Sequence, residues 1–412
     1  MSAMFVGYGM VYHDTPAVVS IFFVFLLIYL CADQFLPRRA ENSIKFFMLT
    51  LIIGLFVVGA MIGAMLMRHS SAPHQFVHDG LIQIEQATRF LLAGKNPYVE
   101  DYTQTPLANW LFEISGTAIN PALYHNAYLP FFFVFTAPFY LFANASLGWF
   151  DGRMIFLPMF LAVLVLLAQA VSDRNKKYAL LFFVTLNPFF TRYLIEGRND
   201  VFVLFWIVLG AHLLRQRREK LALIAVGLAC ASKLTAWFLA PFFALYLLQP
   251  SATSWGAWLA KNYFVSFRRL MPLVLTLILV VGPFALWDLG AFVDDVWNYP
   301  NGTSAIAPYP IHGYGFNIFL RELGLLSSGA SRSPVEMLQW IIGLPLFGWL
   351  AWRQVKRNTL AQMWFGYALL VAVMGYFSHV LNDNHIGFVL TLIAIALLSD
   401  DPARARESGR DA

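Results

Sequence analysis

The chain has 412 residues, 59% of them hydrophobic and only 12% charged, with a mean hydropathy of +0.63. Soluble domains carry about 25% charged residues, so the composition excludes an ordinary water-soluble enzyme and predicts an all-α polytopic membrane protein. The formal charge of +5 points first to an acidic partner, but the placement of the basic residues gives it another meaning. Only two cysteines occur, Cys31 and Cys230. Both lie in apolar runs and read as small buried hydrophobes, with no disulfide or metal role.

The first apolar segment, residues 16–32, lacks a basic start and a small-residue cleavage site, so it reads as a retained helix rather than a signal peptide. A second follows at 44–67. Further segments of crossing length lie at 154–172, 177–194, 200–215, 220–233, 235–249, 270–287, 335–352, 361–379 and 384–399. One more run, "NAYLPFFFVFTAPFYLFA" from Asn126 to Ala143, is broken by Pro130 and Pro138. Lys and Arg collect in cytoplasmic loops. If residues 126–143 do not cross, 19 of the 28 basic residues fall on one side. If they cross, the bias vanishes.

The run therefore reads as a re-entrant or interfacial element. About eleven spans remain, with the N-terminus outside and the C-terminus in the cytoplasm. Two long outer loops follow, from about Arg68 to Arg153 and from about Asp288 to Pro334. With Glu196, Asp200 and Asp383 at the outer tips, the outer face holds most of the acids, so the working face is outside. The expected organisation is an extra N-terminal helix with its loop over 1–43, a transmembrane domain over 44–400, and a polar, disordered cytoplasmic tail over 401–412.

Within the first outer loop, "HDGLIQIEQATRFLLAGKNPY" places Leu81, Ile84, Thr88 and Leu91 on one helical stripe. Gln83, Glu85, Gln86 and Arg89 occupy the other side, and Gly94 and Pro97 end the helix. Such a helix lies along a membrane surface. Asp79 stands in its first turn, where a carboxylate is either a cap contributing about 1 kcal/mol or a functional group presented at the bilayer surface beside His78. A second segment, "TPLANWLFEI", reads as re-entering the bilayer boundary.

Three stretches together carry a family resemblance: Asp79 followed by "ATRFLLAGKNPY", the outer tip "IEGRNDVFVLFW" (Ile195 to Trp206), and the helix pair "LALIAVGLACASKLTAWFLAPFFALYLL". In this order they resemble the C-type superfamily of membrane glycosyltransferases, and most nearly the bacterial polyprenyl-phosphate-mannose-dependent mannosyltransferase branch. The resemblance covers most of residues 60–400 and leaves the first span as an addition. It implies transfer of a sugar, mannose first among the candidates, from a polyprenyl monophosphate to a hydroxyl of a glycolipid or glycan acceptor. The setting implied is the outer face of a bacterial inner membrane, in cell-envelope glycolipid biosynthesis, with no nucleic-acid partner.

A phosphate leaving group is already a stable anion, so only the attacking hydroxyl needs a base, and attack from the opposite face inverts the anomeric carbon. Glycosidases need two carboxylates because their leaving alkoxide must be protonated. Asp79, aligned with the family's loop acid, is the candidate base. Lys233, between two spans, is either a snorkelling lysine or a phosphate ligand, and the resemblance favours the second. In "YPIHGYGFN", His312 stands among Tyr309, Tyr314 and Asn317, to bind donor sugar and phosphate or to pack the loop on itself. Arg198 of "EGRND" and His385 of "SHVLNDNH" join the donor-binding candidates, with His78, Asn199, Asp200, His379 and Asp383 as further ones.

The oligosaccharide-transferring branch holds a divalent ion with carboxylates at the outer tip. Here the shorter motif and the monophosphate donor argue against a metal, and no cofactor is expected. Two other classes compete with a transferase. A lipid or glycan transporter or flippase would place charges in mid-span, around broken repeat helices. A structural membrane subunit would not need so long an acid-bearing loop.

Overall fold

The structure, a computed structural model, describes residues 16–112, 119–248, 255–327 and 335–400. The expected disordered tail at 401–412 lies outside the described residues. The chain is nearly all-α. Helix α1 (Pro16–Phe35) packs on α2 (Arg38–Ile52), which runs through a π-helical turn at Ile53–Gly59 into α3 (Ala60–Ser70). The amphipathic helix follows as α4 (Asp79–Leu92), and the Pro-broken run as α5 (Phe131–Leu147).

The remaining helices form the bundle: α6 (Arg153–Gln169), α7 (Arg174–Leu186), α8 (Pro188–Ile195), α9 (Asp200–Arg215), α10 (Glu219–Cys230), α11 (Leu239–Leu248) and α12 (Trp255–Trp287). After the short α13 (Leu289–Val293) and α14 (Phe316–Glu322) come α15 (Glu336–Lys356), α16 (Leu360–Tyr376) and α17 (Asp383–Leu398). Helix α9 packs on α6 and α10, α10 on α12, and α17 on α16, α7 and α8. One apolar core runs through the whole assembly. Two-residue strands, β1 (His312–Gly313) and β2 (Val380–Leu381), pair in parallel and join the second outer loop to the α16–α17 turn.

By length and composition, two helices among the described residues can cross a bilayer, Ala40–Ser70 and Phe267–Trp287, and a third if Arg174–Leu186 and Pro188–Ile195 count as one span bent by 54°. Several other expected spans are shorter. Phe131–Leu147, Arg153–Gln169, Leu360–Tyr376 and Asp383–Leu398 are apolar but no longer than 17 residues, about 25 Å of helix at 1.5 Å per residue. They stop where the chain turns to bring polar residues together.

The bend between α7 and α8 has a local cause. Pro188 has no N–H to continue the helix, and the Asn187 side chain caps the next one, accepting from Phe189 N–H at 3.2 Å. Asn187 Nδ2 also donates to the Gly387 carbonyl at 2.9 Å. Gly387 itself lies so close to the Phe189 backbone that a Cβ would collide with it. This contact brings the start of α8 against the first turns of α17.

Helix α5 has polar groups of the bundle close to both of its ends. Leu129 and Phe131 N–H donate to the Ser232 and Ala231 carbonyls at one end. Just past the other end, Arg153 Nη1 donates to the Phe76 and Ile195 carbonyls at 2.7 and 3.1 Å. Both ends are thus tied to the same polar layer, and α5 lies along α4 between them.

Two expectations change. The polar face of α4 does not meet solvent: Gln83, Glu85 and Gln86 are buried. Gln83 Nε2 donates to the Ala122 and His125 carbonyls, and Glu85 accepts from Arg68. The long loop after α4 supplies the two carbonyls, and the end of α3 supplies Arg68. "TPLANWLFEI" forms only a 3-10 turn, Pro106–Asn109, with Leu107 buried and Trp110 Nε1 donating to the Val77 carbonyl at 2.9 Å. Its last two residues lie outside the described residues.

Overpacking a tight backbone contact costs about 1–3 kcal/mol. Gly387→Ala is therefore expected to lower the unfolding temperature in detergent by several degrees. A variant as stable as the parent would mean that α8 and α17 do not meet through Gly387.

Candidate functional site

The polar layer is built from the ends of helices and the two outer loops. His78 caps α4, where Gly80 N–H lies 3.1 Å from its Nδ1. Nδ1 also stands 2.8 Å from Asp79 Oδ1, and Gly80 N–H is 2.7 Å from that oxygen. With a proton on Nδ1 the imidazole and the Gly80 amide both donate to Oδ1; without one, Nδ1 accepts from Gly80 N–H instead, so the cap and the His78–Asp79 bond are alternatives. Asn120 Nδ2 donates to Oδ2 at 3.2 Å.

Burial alone would raise the Asp79 carboxyl. His78, with Arg198 and the Asn120 bond, outweighs it and holds the group below the usual carboxylate range. Asp79 is thus ionised at neutral pH and, at 16% side-chain exposure, open to a ligand. Tyr128 and Tyr309 are pushed upward by burial and then by the negative charge of Asp79. Their phenols stay protonated.

Gly197, at φ +89°, turns the chain sharply after α8, and its missing side chain leaves room for Leu81 and Arg153. The turn delivers Arg198, Asn199 and Asp200. The Arg198 guanidinium lies 4.4 Å from the Tyr193 ring centroid, donates from Nη1 to Asn384 Oδ1, and stands 4.0 Å from Asp383 Oδ1. Its Nε is buried with no partner among the described residues. Tyr193 donates its hydroxyl to Asp383, and Asn384 Nδ2 donates to Asp200.

Lys233 sits where α10 ends. Its Nζ lies 2.7 Å from Asp200 Oδ1 and 3.3 Å from Asn199 Oδ1, with the side chain 18% exposed. It is therefore neither a snorkelling lysine nor an uncommitted cation. It is one half of an ion pair inside the layer.

Of the residues singled out in the sequence, His78, Asp79, Arg198, Asn199, Asp200, Lys233, Tyr309, Asp383 and His385 converge here. His385 Nδ1 accepts from Asn382 N–H at 3.2 Å. His312 is fixed by the β1–β2 pairing, and burial, Arg198 and Arg321 all lower its imidazole. His379 holds the Tyr309 carbonyl through Nε2 at 2.6 Å, so it shapes the loop. Two others fall away. Tyr314 is 62% exposed, and Asn317 is 1% exposed with Nδ2 donating to the Ser378 carbonyl.

Asn120, Tyr128, Tyr193 and Asn384 complete the layer and were not singled out. Asn384 lay inside "SHVLNDNH". The others lie in apolar or loop stretches with no pattern to mark them.

A second buried cluster joins the two outer loops. His125 Nδ1 is 2.7 Å from Asp295 Oδ1, and Nε2 is 2.6 Å from the Ile306 carbonyl. A carbonyl only accepts, so Nε2 carries a proton, and a further proton is held between Nδ1 and Asp295. Asn126 N–H donates to Asp295 Oδ2, Tyr299 stacks on the ring, and Asp294 Oδ2 stands 3.8 Å away. Among the described residues, the ligand atoms of His125, Asp294 and Asp295 lie within 4.8 Å of one another. With both ring nitrogens committed, His125 offers a metal no lone pair.

No protein-family model matches the chain, and no curated protein matches it.

Burial alone would lower the His125 imidazole, but its bonds to Asp295 and Ile306 outweigh this and raise it, while burial raises Asp295. The folded pair thus keeps a proton that the unfolded chain releases. Its stabilisation is full below the unfolded imidazole value of about 6.5 and is lost as pH rises through the raised folded value. Amide exchange in 120–130 and 294–306, corrected for intrinsic rates, should accelerate between about pH 6 and pH 9. His125→Gln should abolish that dependence. Equal protection at both pH values would refute the shared proton.

Proposed function

We propose that the protein is an integral-membrane glycosyltransferase of the C-type kind, moving a sugar from a polyprenyl monophosphate to an acceptor hydroxyl with inversion. The observation that carries this reading is Asp79: an ionised, partly open carboxylate at the start of an interfacial helix, facing Arg198 and two protonated tyrosines. The polyprenyl tail must stay in the bilayer, so the anomeric carbon is presented at the membrane surface, and the base must stand there too.

Asp79 Oδ2 takes the proton of the attacking hydroxyl as the new C–O bond forms, and the phosphate leaves with the electron pair of the old one. Arg198 and Lys233 bind the phosphate. Fixed donors at a developing anion are the strongest use of such groups. Tyr128 and Tyr309 offer ring faces and hydroxyls to the sugar. The acceptor is a glycolipid or glycan, and mannose is the first sugar to test.

The same reading takes the bundle to cross the membrane about eleven times, with α4 and α5 at the outer surface. The one-sided placement of Lys and Arg supports this, as does the return of α5 to the layer it left. The extra first helix, α1, leans on α2 away from the polar layer.

Asp79→Asn keeps the size of the side chain and cannot accept the proton. Transfer of labelled sugar from polyprenyl phosphate should fall by at least about a hundredfold, the usual contribution of a general base, with expression and unfolding temperature retained. Turnover within a few-fold of the parent would remove Asp79 as the base. Flux of the lipid in liposomes without any transfer would favour a flippase instead.

Removing Lys233 alone leaves Asp200 buried without its partner, so folding and binding losses would be mixed. The double change Lys233→Met with Asp200→Asn removes both charges. It should restore stability while donor affinity stays ten- to a hundredfold weaker, from the loss of about 1.5–3 kcal/mol in one charge-assisted contact. Parental affinity in the double variant would make the pair purely structural.

A further inference from the structure

A second pocket, of about 240 Å³, opens beside α4 on a different face. That is about eight water volumes at ~30 Å³ each. At 100° per residue, Glu85 and Arg89 stand roughly 120° round the helix from Asp79 and Gln83. The floor is an ion-pair network. Arg68 bonds both oxygens of Glu85, at 2.9 and 2.6 Å, and Asp151 at 3.0 Å, while Arg153 bonds Asp151 at 2.7 Å. These two cations and two anions cancel, which leaves the charge of Arg89 to the pocket.

The walls hold polar groups with nothing to bond. Arg89 has a single 3.4 Å contact, to Gln86 on its own helix. Among the described residues, the Tyr140 hydroxyl, Trp149 Nε1 and the His69 ring nitrogens have no hydrogen-bond partner, although His69 and Trp149 stack at 4.3 Å. The lining is formally neutral, Arg68 and Arg89 against Glu85 and Asp151, but Arg153 behind the wall compensates Asp151, so Arg89 is the lining cation left for a ligand, in a pocket rich in donors and walled by flat rings.

Its position says what kind of molecule fits. Arg68 and His69 are in the last turn of the 31-residue apolar helix Ala40–Ser70. At about 46 Å, that helix outruns a hydrocarbon core of about 30 Å and reaches the headgroup level. Helix α5, which supplies Tyr140, exposes Phe139, Leu141 and Phe142, the last at 74%, and α3 exposes Leu66. A polar, cationic pocket flanked by bare apolar surface matches an amphiphile, and Trp and Tyr are the rings that favour this depth.

We propose that this pocket binds the anionic head of a membrane phospholipid, with Arg89 paired to the phosphate and the Tyr140 hydroxyl and Trp149 Nε1 as neutral donors. The acyl chains lie along Leu66 and Phe142. The site is separate from the Asp79 layer and does not depend on the transferase reading.

The test uses the full chain, delipidated in detergent and then offered phosphatidylglycerol or phosphatidylcholine, with bound lipid counted by native mass spectrometry. Both lipids offer Arg89 a phosphate, but the choline cation of phosphatidylcholine offsets that charge, so phosphatidylglycerol should be retained about tenfold better. Arg89→Gln should erase the preference while keeping the unfolding temperature, and Arg89→Lys should keep most of it. Equal retention of the two lipids by the parent, or an unchanged preference in Arg89→Gln, would overturn the proposal. Free glycerol phosphate should not displace the lipid. Displacement at concentrations comparable to the lipid would assign the pocket to a soluble phosphate instead.

Discussion

The arrangement depends on one buried cation. Arg153 is fully buried, yet its guanidinium is satisfied on every side: Nε and Nη2 by the two oxygens of Asp151, Nη1 by the Phe76 and Ile195 carbonyls. Phe76 lies two residues before His78 and Ile195 one before Glu196, and His78 N–H donates to the Glu196 carbonyl at 2.8 Å. One side chain at the start of α6 thereby fixes both segments that deliver Asp79 and Arg198. Burial would raise Asp151, and Arg153 and Arg68 outweigh it, so the carboxylate stays charged. Removing one partner of such a network leaves a buried charge uncompensated, at a cost of about 3–5 kcal/mol. The site is placed by electrostatics, and the apolar core only surrounds it.

The same constraint accounts for the short helices. A backbone that leaves helical form inside an apolar medium exposes amide groups that must be satisfied. Here they are satisfied by turning within a polar layer: Leu129 and Phe131 on the α10 end, Tyr102 N–H on the Leu123 carbonyl, Tyr314 N–H on the Leu381 carbonyl. Each turn shortens a helix and brings a loop to the same level. The length missing from α5, α16 and α17 is what the layer is made of.

This explains what the sequence made legible. Composition and the apolar runs gave the helical class. The stripe of Leu81, Ile84 and Thr88 gave α4 to within its caps. Polar residues at helix ends were visible as exceptions in apolar text, which is why Asp79, Arg198, Asp200, Lys233, Asp383 and His385 could be named. Their pairing was not visible. Nothing in one dimension says that Lys233 spends its charge on Asp200, or that His125 and Asp295, 170 residues apart, share a proton. Asn317 and Tyr314 were read with His312 because they are neighbours in sequence, but the turn at Gly315 sends one inward and the other out.

The electrostatics of the layer also bear on what Asp79 can do. A base works best when its pKa lies near the operating pH, and Asp79 is held well below that while Arg198 and His78 face it. In the open site the carboxylate is stable and a poor proton acceptor, which guards against idle chemistry. His78 is the larger of the groups that lower Asp79 and Arg198 a lesser one; an anion seated against Arg198 would remove the lesser part, and a sugar covering the site would remove water from it. Both changes disfavour the ionised form and raise its affinity for a proton. On the proposed transferase reading, a phosphate seated near Arg198 would raise the proton affinity of Asp79, so occupancy and basicity would rise together at one position on α4.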